Sequence, residues 1–457
     1  MRGKMLRRKL YDTLLEWKRS SRGSTALLVK GARRVGKSTL VSEFGAREYR
    51  SCIVIDFFEA TKELKQDFRD LATDLDTLFL QIMARYGTTL YERESLIVFD
   101  EVQCFPYARG LIKYLVADGR YDYIETGSLL SIRQNVADIV IPSEEHSVAL
   151  EPMDFEEFLW AMGEEPLARL VASCFERSKP LPDDLHRKAT RLFREYLLVG
   201  GMPEVVNGYV RARDFAQADA AKRQILELYR NDVGKYAGRS QYRVASVFDA
   251  IPSQLSKHEK RFILASISKD ARMRGYEGAF FWLADARIAN IAYASTDPSV
   301  GLGLSAEHST LKCYLADTGL LVSLAFPDTG IAPGSVYQQA LLGNLGINEG
   351  MLVENAVAQQ LVASGHSLFF YSSYDREDSS NRMEIDFLVI RPYPNAAMKP
   401  RISPIEVKSP KQYSTTSLDK FKAKFGQRIG MQYVVHPKQL RLDGERMFVP
   451  LYMAHLL

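Results

Sequence analysis

A short apolar run, Ala26-Leu-Leu-Val-Lys30, leads straight into Gly31-Ala32-Arg33-Arg34-Val35-Gly36-Lys37-Ser38-Thr39. The first stretch has the length and composition of a buried strand. The second fits the spacing G-x-x-x-x-G-K-[ST], whose physics is narrow. Its glycines let successive backbone N–H groups turn inward around a triphosphate, and the following helix adds the positive end of its dipole. At this spacing Lys37 reaches the β- and γ-phosphates and the Ser38 hydroxyl ligates Mg²⁺. ATP and Mg²⁺ are therefore the expected cofactors, held by residues 31–39.

The second half of such a site is Leu96-Ile-Val-Phe-Asp100-Glu101, four apolar residues with two carboxylates at the end of the strand. Open α/β sheets bind ligands at that end. Asp100 is expected to hold Mg²⁺ and Glu101 to polarise the attacking water. Tyr123-Ile-Glu-Thr126-Gly-Ser128 supplies a further strand, and Ser128 or Thr126 is placed to report on the γ-phosphate, although a satisfied turn hydroxyl reads equally. Strand candidates at Cys52–Asp56 and Val148–Leu150 alternate with helical periodicity at Leu64–Tyr86 and Ala108–Val116. Alternation of this kind predicts a parallel sheet covered by helices on both faces.

Composition narrows the class further. The chain has 457 residues, enough for several domains, and its 46% hydrophobic and 25% charged content is that of globular proteins. A net charge of +4 excludes a uniformly basic coat, though not local basic patches. Cys52, Cys104, Cys174 and Cys313 lie far apart without C-x-x-C spacing, which argues against a disulfide framework and for a reducing, cytoplasmic setting. No apolar run approaches the ~18 residues of a membrane span, and acidic residues interrupt the basic N-terminus before a signal core forms.

A strand between the two phosphate-site strands, with a glutamate beside the metal aspartate, resembles the ATPase division that includes the AAA+ and related signalling NTPases. GARRVGKST, LIVFDEVQCFPYARGLIKYL, YIETGSLLSI and LEPMDFEEFLWAMGE together resemble a prokaryotic family of AAA-type (archaeal-ATPase-like) ATP-binding proteins. That resemblance runs through nearly the whole chain. It implies a C-terminal domain of unknown function resembling PD-(D/E)XK nucleases. No arginine finger can be assigned: Arg109 and Arg133 follow the metal and sensor-like strands, and either reads equally as structural. Arg33 and Arg34 add general anion attraction.

The middle of the chain reads as a lid, a hinge and a winged helix. Lys179-Pro-Leu-Pro-Asp-Asp is a turn-rich linker, and Gly200-Gly-Met-Pro203 is either a hinge or a tight, immobile turn. Helical segments at Val244–Leu255, Lys260–Ile267 and Glu277–Ile291, followed by a hairpin, resemble a winged helix-turn-helix. Arg287 is its base-reading candidate, although interdomain packing is the stronger reading of the module.

The C-terminal region carries a second constellation. Glu354 lies on an amphipathic helix; Glu384 and Asp386 share one face of the strand Met383–Ile390; Glu406 and Lys408 share one face of Pro404–Lys408. With the strands adjacent, Asp386 and Glu406 form a hard-cation pair suited to Mg²⁺, with Glu354 assisting and Lys408 beside the metal-bound water. This resembles the PD-(D/E)XK core, and such cores also persist as binding or packing domains.

The expected architecture is α/β: a P-loop NTPase parallel sheet over residues 1–175, a helical lid and winged-helix-like region over 176–330, and a restriction-endonuclease-like α/β domain over 331–457. The expected function is ATP hydrolysis controlling nuclease action on nucleic acid, with DNA ranking ahead of RNA. The alternative is a nucleotide-dependent switch with an inactive nuclease-like domain. Monomer and homo-oligomer both stay open, and no membrane partner is expected. Charge supports a phosphate partner: residues 1–34 carry a local +9 and residues 399–428 a local +6.

Overall fold

The computed structural model describes residues 5–128, 142–257, 260–298, 301–326, 347–373, 382–391, 401–409 and 413–457. The chain divides into two units, residues 1–151 with 285–287, and residues 152–284 with 288–457.

The first unit is built on five parallel strands: β1 (Ala26–Lys30), β2 (Ser51–Asp56), β3 (Ser95–Asp100), β4 (Asp122–Gly127) and β5 (Glu145–Ala149). Their order is β2-β3-β4-β1-β5, so β4 stands between the phosphate-loop strand and the Asp100 strand. Every residue of β3 and β4 is buried, as expected of central strands covered on both faces. Helices α1 (Leu10–Ser21), α2 (Lys37–Glu48), α3 (Lys62–Asp70), α4 (Leu75–Tyr86) and α5 (Pro106–Asp118) supply the cover. Phe57 packs edge-on against Phe68 of α3 and Phe99 of β3, with ring centroids 5.6 and 5.5 Å apart. The expected helix Leu64–Tyr86 is in fact two. Asp74 accepts a hydrogen bond from the Thr77 N–H, 3.1 Å away, and this cap starts α4 afresh.

The second unit holds a mixed sheet of eight strands: β6 (Ala289–Ser295), β7 (Ala306–Leu315), β8 (Phe369–Ser373), β9 (Met383–Arg391), β10 (Arg401–Val407), β11 (Gln432–His436), β12 (Arg441–Asp443) and β13 (Arg446–Pro450). The order is β12-β13-β11-β10-β9-β8-β6-β7. The expected hairpin forms between β6 and β7, and through β6 and β8 it joins the sheet of the C-terminal strands. Two helical expectations in this region are corrected. Residues 260–267 contain only a 3₁₀ turn at Leu264–Ser266, because the Phe262 N–H is taken by Leu311 O and Lys260 reaches across to Glu354. The following helix is Met273–Asp285, and residues from Ala289 are already strand, where their polar backbone groups pair with β7.

The helix Ile347–Ala363 is the spine of this unit. Asn355 accepts from the Leu315 N–H (2.8 Å) and donates to Leu315 O (3.1 Å), tying the end of β7 to the helix. The Gln359 carbonyl accepts from the Thr318 N–H at 2.9 Å. The Gln360 carbonyl accepts from the Phe155 N–H, and its amide donates to the Tyr196 hydroxyl, both at 2.8 Å. Each of these amides is buried, so each bond satisfies a backbone or hydroxyl group that water cannot reach. The segment around Phe155 is thereby fixed in the second unit, against Phe193 and Tyr196.

Gly200-Gly201 forms a locked turn. Asp317 accepts from the Gly201 N–H at 2.5 Å, and Gly200 has φ of +82°. A Cβ at Gly201 would collide with Met153 O. Of the two readings of this element, the immobile turn is the one the packing fits.

Candidate functional site

The phosphate loop forms where β1 ends, and Gly36, the residue before α2, has φ of +96°, a conformation glycine adopts without strain. α2 begins at Lys37, so the N–H groups of its first turn face the loop. The buried Lys37 ammonium donates to Gly31 O and Ala32 O, both at 3.0 Å, which holds it over its own loop. The Ser38 hydroxyl donates to Asp100 Oδ1 at 2.9 Å, joining the loop to the end of β3. Thr126, at the end of β4, also donates to Asp100 Oδ1. The register of three parallel strands therefore brings together a hydroxyl, a carboxylate and an ammonium from positions 38, 100 and 37.

This donor set fits a magnesium nucleotide. Ser38 and Asp100 are hard oxygen ligands a hydrogen bond apart, and the 95% buried Asp100 carboxylate is met by hydroxyls. Glu101 takes a left-handed backbone with φ of +53°, and its side chain accepts from the Gln103 amide. Its N–H reaches the Thr126 hydroxyl at 3.4 Å, so Thr126 touches both carboxylate residues of the strand end. Ser128 is half-buried beyond β4, and Arg33, Arg34 and Thr39 are exposed along the loop and first turn.

Of the arginines around the loop, Arg109 takes the structural one of its two readings, and Arg8 has a role the sequence did not signal. Arg109 is no finger: it is buried and forks onto Glu145 at 2.7 and 2.8 Å, a structural pair inside the sheet layer. Arg133 lies outside the described residues. Arg8, which carried no signal beyond its basic neighbourhood, is buried and donates to Val35 O at 3.1 Å and to Glu151 O at 2.5 Å. It braces the phosphate loop against the segment after β5. Arg8→Ala is expected to cost about 1–3 kcal/mol by leaving buried carbonyls unpaired. A lowered denaturant midpoint together with weaker nucleotide binding checks this.

The carboxylates of the second unit also converge. β9 and β10 pair antiparallel with Ile405 opposite Phe387, and the Val407 N–H donates to Asp386 Oδ2 at 2.8 Å. Glu406 and Lys408 lie 3.3 Å apart. Burial pushes the Glu406 carboxyl up to about 7, with Lys408 acting against the rise. The sequence reading missed Lys312 of β7. Its fully buried ammonium lies 2.7 Å from Glu384, 3.5 Å from Glu354 and 3.6 Å from Asp386. Lys260 pairs with the other oxygen of Glu354, and the Tyr314 hydroxyl donates to that carboxylate at 2.6 Å. Burial alone would raise the Glu354 carboxyl, yet Lys312 and Lys260 hold it down to about 2.

The basic C-terminal segment is largely spoken for within the unit. Lys422 pairs with Glu445 at 2.7 Å, Arg428 with Asp297 at 2.9 Å, and Lys424 donates to the Tyr371 hydroxyl at 2.9 Å. Lys399 and Lys411 lie outside the described residues. Arg287, the base-reading candidate, sits beyond its helix and pairs with Glu151 at 2.7 Å. Cys52, Cys104, Cys174 and Cys313 are all free thiols.

Sheet order, phosphate loop and the Ser38–Asp100 pair define the class of the first unit, an AAA-type P-loop domain. Residues 23–159 match a family described as an AAA domain. Residues 190–332 and 349–454 match two domains of unknown function, DUF8612 and DUF4143. No curated protein matches the chain. Among solved structures, the Aeropyrum pernix ORC1 protein in complex with DNA is 13% identical, covers 71% of this chain and 94% of its own, and gives a TM-score of 0.28. Drosophila ORC bound to DNA gives 14%, 72%, 95% and 0.25, and AMPPCP-bound DnaA from Aquifex aeolicus gives 12%, 73%, 93% and 0.27. Likeness at this level carries no residue roles across. Among the described residues no helix is long and apolar enough to cross a membrane.

Proposed function

We propose that the protein is a Mg²⁺-dependent ATP hydrolase acting as a nucleotide-driven switch, with the second unit as its output. The observation that carries the ATPase reading is the Ser38 hydroxyl 2.9 Å from Asp100, with the Lys37 ammonium held over the same loop. Ser38 and Asp100 would hold Mg²⁺, which when bound offsets charge on the β- and γ-phosphates. Lys37 would swing from its loop carbonyls to the γ-phosphate, exchanging two neutral acceptors for an anionic one. Glu101 orients a water in line with the γ-phosphorus and takes its proton as the bond to the β–γ bridging oxygen breaks, giving ADP and phosphate. Thr126 couples the end of β4 to Asp100.

Glu101→Gln keeps the strand end but removes the base. Its turnover is expected to fall by about 10²–10⁴-fold, the usual worth of a positioned general base, while ATP binding persists. A filter-binding measurement beside a phosphate-release assay separates the two effects. Equal loss of both would refute the assigned role.

For the second unit two readings remain, metal-dependent cleavage of DNA or RNA at Asp386, Glu406 and Lys408, and binding without cleavage. The buried Lys312 among the carboxylates favours the second. Nucleic acid, with DNA ahead of RNA, is the partner we assign to that output. Its support is the basic segment 399–428, weakened by the internal pairs of Lys422 and Arg428. Incubation with single- and double-stranded DNA and RNA, with divalent metal and with or without ATP, decides it. Cleavage abolished by Asp386→Ala with Lys408→Ala would restore the nuclease reading.

A further inference from the structure

The cluster around Glu354 has the carboxylates of a metal site and the arithmetic of a closed ionic core. Glu354, Glu384 and Asp386 converge from a helix and a strand, and all three meet the ammonium of Lys312 within 2.7–3.6 Å. Lys312 has no exposed surface, and its ammonium lies over the Phe370 ring, 5.1 Å from the ring centre. Lys260 and the Tyr314 hydroxyl occupy the oxygens of Glu354, while the Val407 N–H occupies one oxygen of Asp386. Among the described residues no group of three acidic, histidine or cysteine side chains is disposed to hold a metal ion. A divalent cation entering here would stand beside a buried ammonium, and like charges in a low-dielectric interior repel strongly. The residues therefore do not fit Mg²⁺.

We propose that Lys312 is the resident cation of this cluster, an intramolecular ammonium standing where a divalent metal would otherwise join Glu354, Glu384 and Asp386. The placement is chemically coherent. A Lys ammonium brings three donors and one charge, and here it faces three carboxylates, one from the helix and two from β9. It does for β7, β9 and the 347–363 helix what a metal does in a structural site, drawing ligands from distant positions into one core. Glu406 and Lys408 lie beside this core as a separate pair. The inference deepens the non-cleaving reading of the second unit and is independent of ATP chemistry, so its test uses no nucleotide.

The experiment is Mn²⁺ binding to the full chain, read by electron paramagnetic resonance, in an Asp100→Asn background that silences the first unit. With Lys312 present, no saturable site is expected at millimolar Mn²⁺. With Lys312→Met added, one saturable site should appear, and Asp386→Asn should then remove it. The same Lys312→Met chain should unfold at lower denaturant, and Glu354→Gln should restore part of the loss by removing one of the three negative charges that Lys312 offset. Should Lys312→Met fail to fold, recovery of folding in the Lys312→Met, Glu354→Gln double variant supports the inference and continued failure overturns it. Saturable Mn²⁺ binding in the Lys312 chain that disappears with Asp386→Asn overturns it. So does a folded Lys312→Met chain that gains no site.

Discussion

Lys37→Ala is expected to lower ATP turnover by about 10²–10³-fold, the equivalent of ~3–4 kcal/mol, as for other charge-stabilising donors removed from a transition state. The reason lies in what Lys37 does on either side of the reaction. It is buried at the start of α2 and makes two 3.0 Å bonds to its own loop. A γ-phosphate offers the same ammonium an anionic acceptor whose charge shifts as the phosphoryl group transfers. The alanine variant also forfeits two loop contacts, so its folding must be verified by circular dichroism and denaturant titration. Phosphate release from a folded variant that matches the unsubstituted protein would refute the phosphate-loop assignment. Ser38 and Asp100 remain in that variant, so residual magnesium-dependent nucleotide binding is expected to outlast turnover.

Asp317→Ala is expected to be the most damaging single change in the second unit, costing about 3–5 kcal/mol, the range for removing one partner from a buried charged network. The fully buried carboxylate accepts from the Gly201 N–H at 2.5 Å, the Leu320 N–H at 2.8 Å and the Gln359 amide at 3.3 Å. Burial raises its own proton affinity, and those backbone donors with the charge of Lys222 work against the rise. Removing it leaves three donors without their acceptor and takes negative charge from the neighbourhood of Lys222, itself fully buried. Denaturant unfolding followed by tryptophan fluorescence measures the loss. Asp317→Asn keeps an acceptor and should lose less, which separates the hydrogen bonds from the charge. A midpoint unchanged in the alanine variant would show that the Gly200-Gly201 turn holds itself.

The two units were legible to different degrees, and the difference follows from sequence separation. Gly31 to Ser38 is contiguous: the strand, the turn and the helix that make a phosphate cradle are neighbours in the chain, so spacing alone specifies their geometry. Asp100 and Glu101 were readable because an apolar strand ending in carboxylates, weak evidence alone, follows a phosphate loop in the same chain. Arg8 was not readable, since its acceptors are backbone carbonyls at Val35 and Glu151, and a carbonyl leaves no trace in sequence. The segment 260–267 looked helical by period, but its Phe262 N–H and Lys260 ammonium found partners more than forty residues away, and those bonds outweigh a weak local preference.

The carboxylate cluster shows the same limit from the other side. Glu354, Asp386 and Glu406 were found by residue type and strand alternation, and the β9–β10 register does bring Asp386 beside the Glu406 strand. Lys312 stood unnoticed inside LKCYL, where one lysine among apolar residues on a strand reads as an outward-facing surface charge. Pairing of β6 with β7 and β8 turns it inward instead, toward the helix carrying Glu354. By itself the sequence determined a phosphate loop, the strand-end carboxylate that meets it and a set of acidic residues on a later sheet, because local spacing sets those. Tertiary structure alone decided which cation meets those acids. A buried charge is resolved by whatever opposite charge the fold brings within a few ångströms, and here that charge is an ammonium from the same chain.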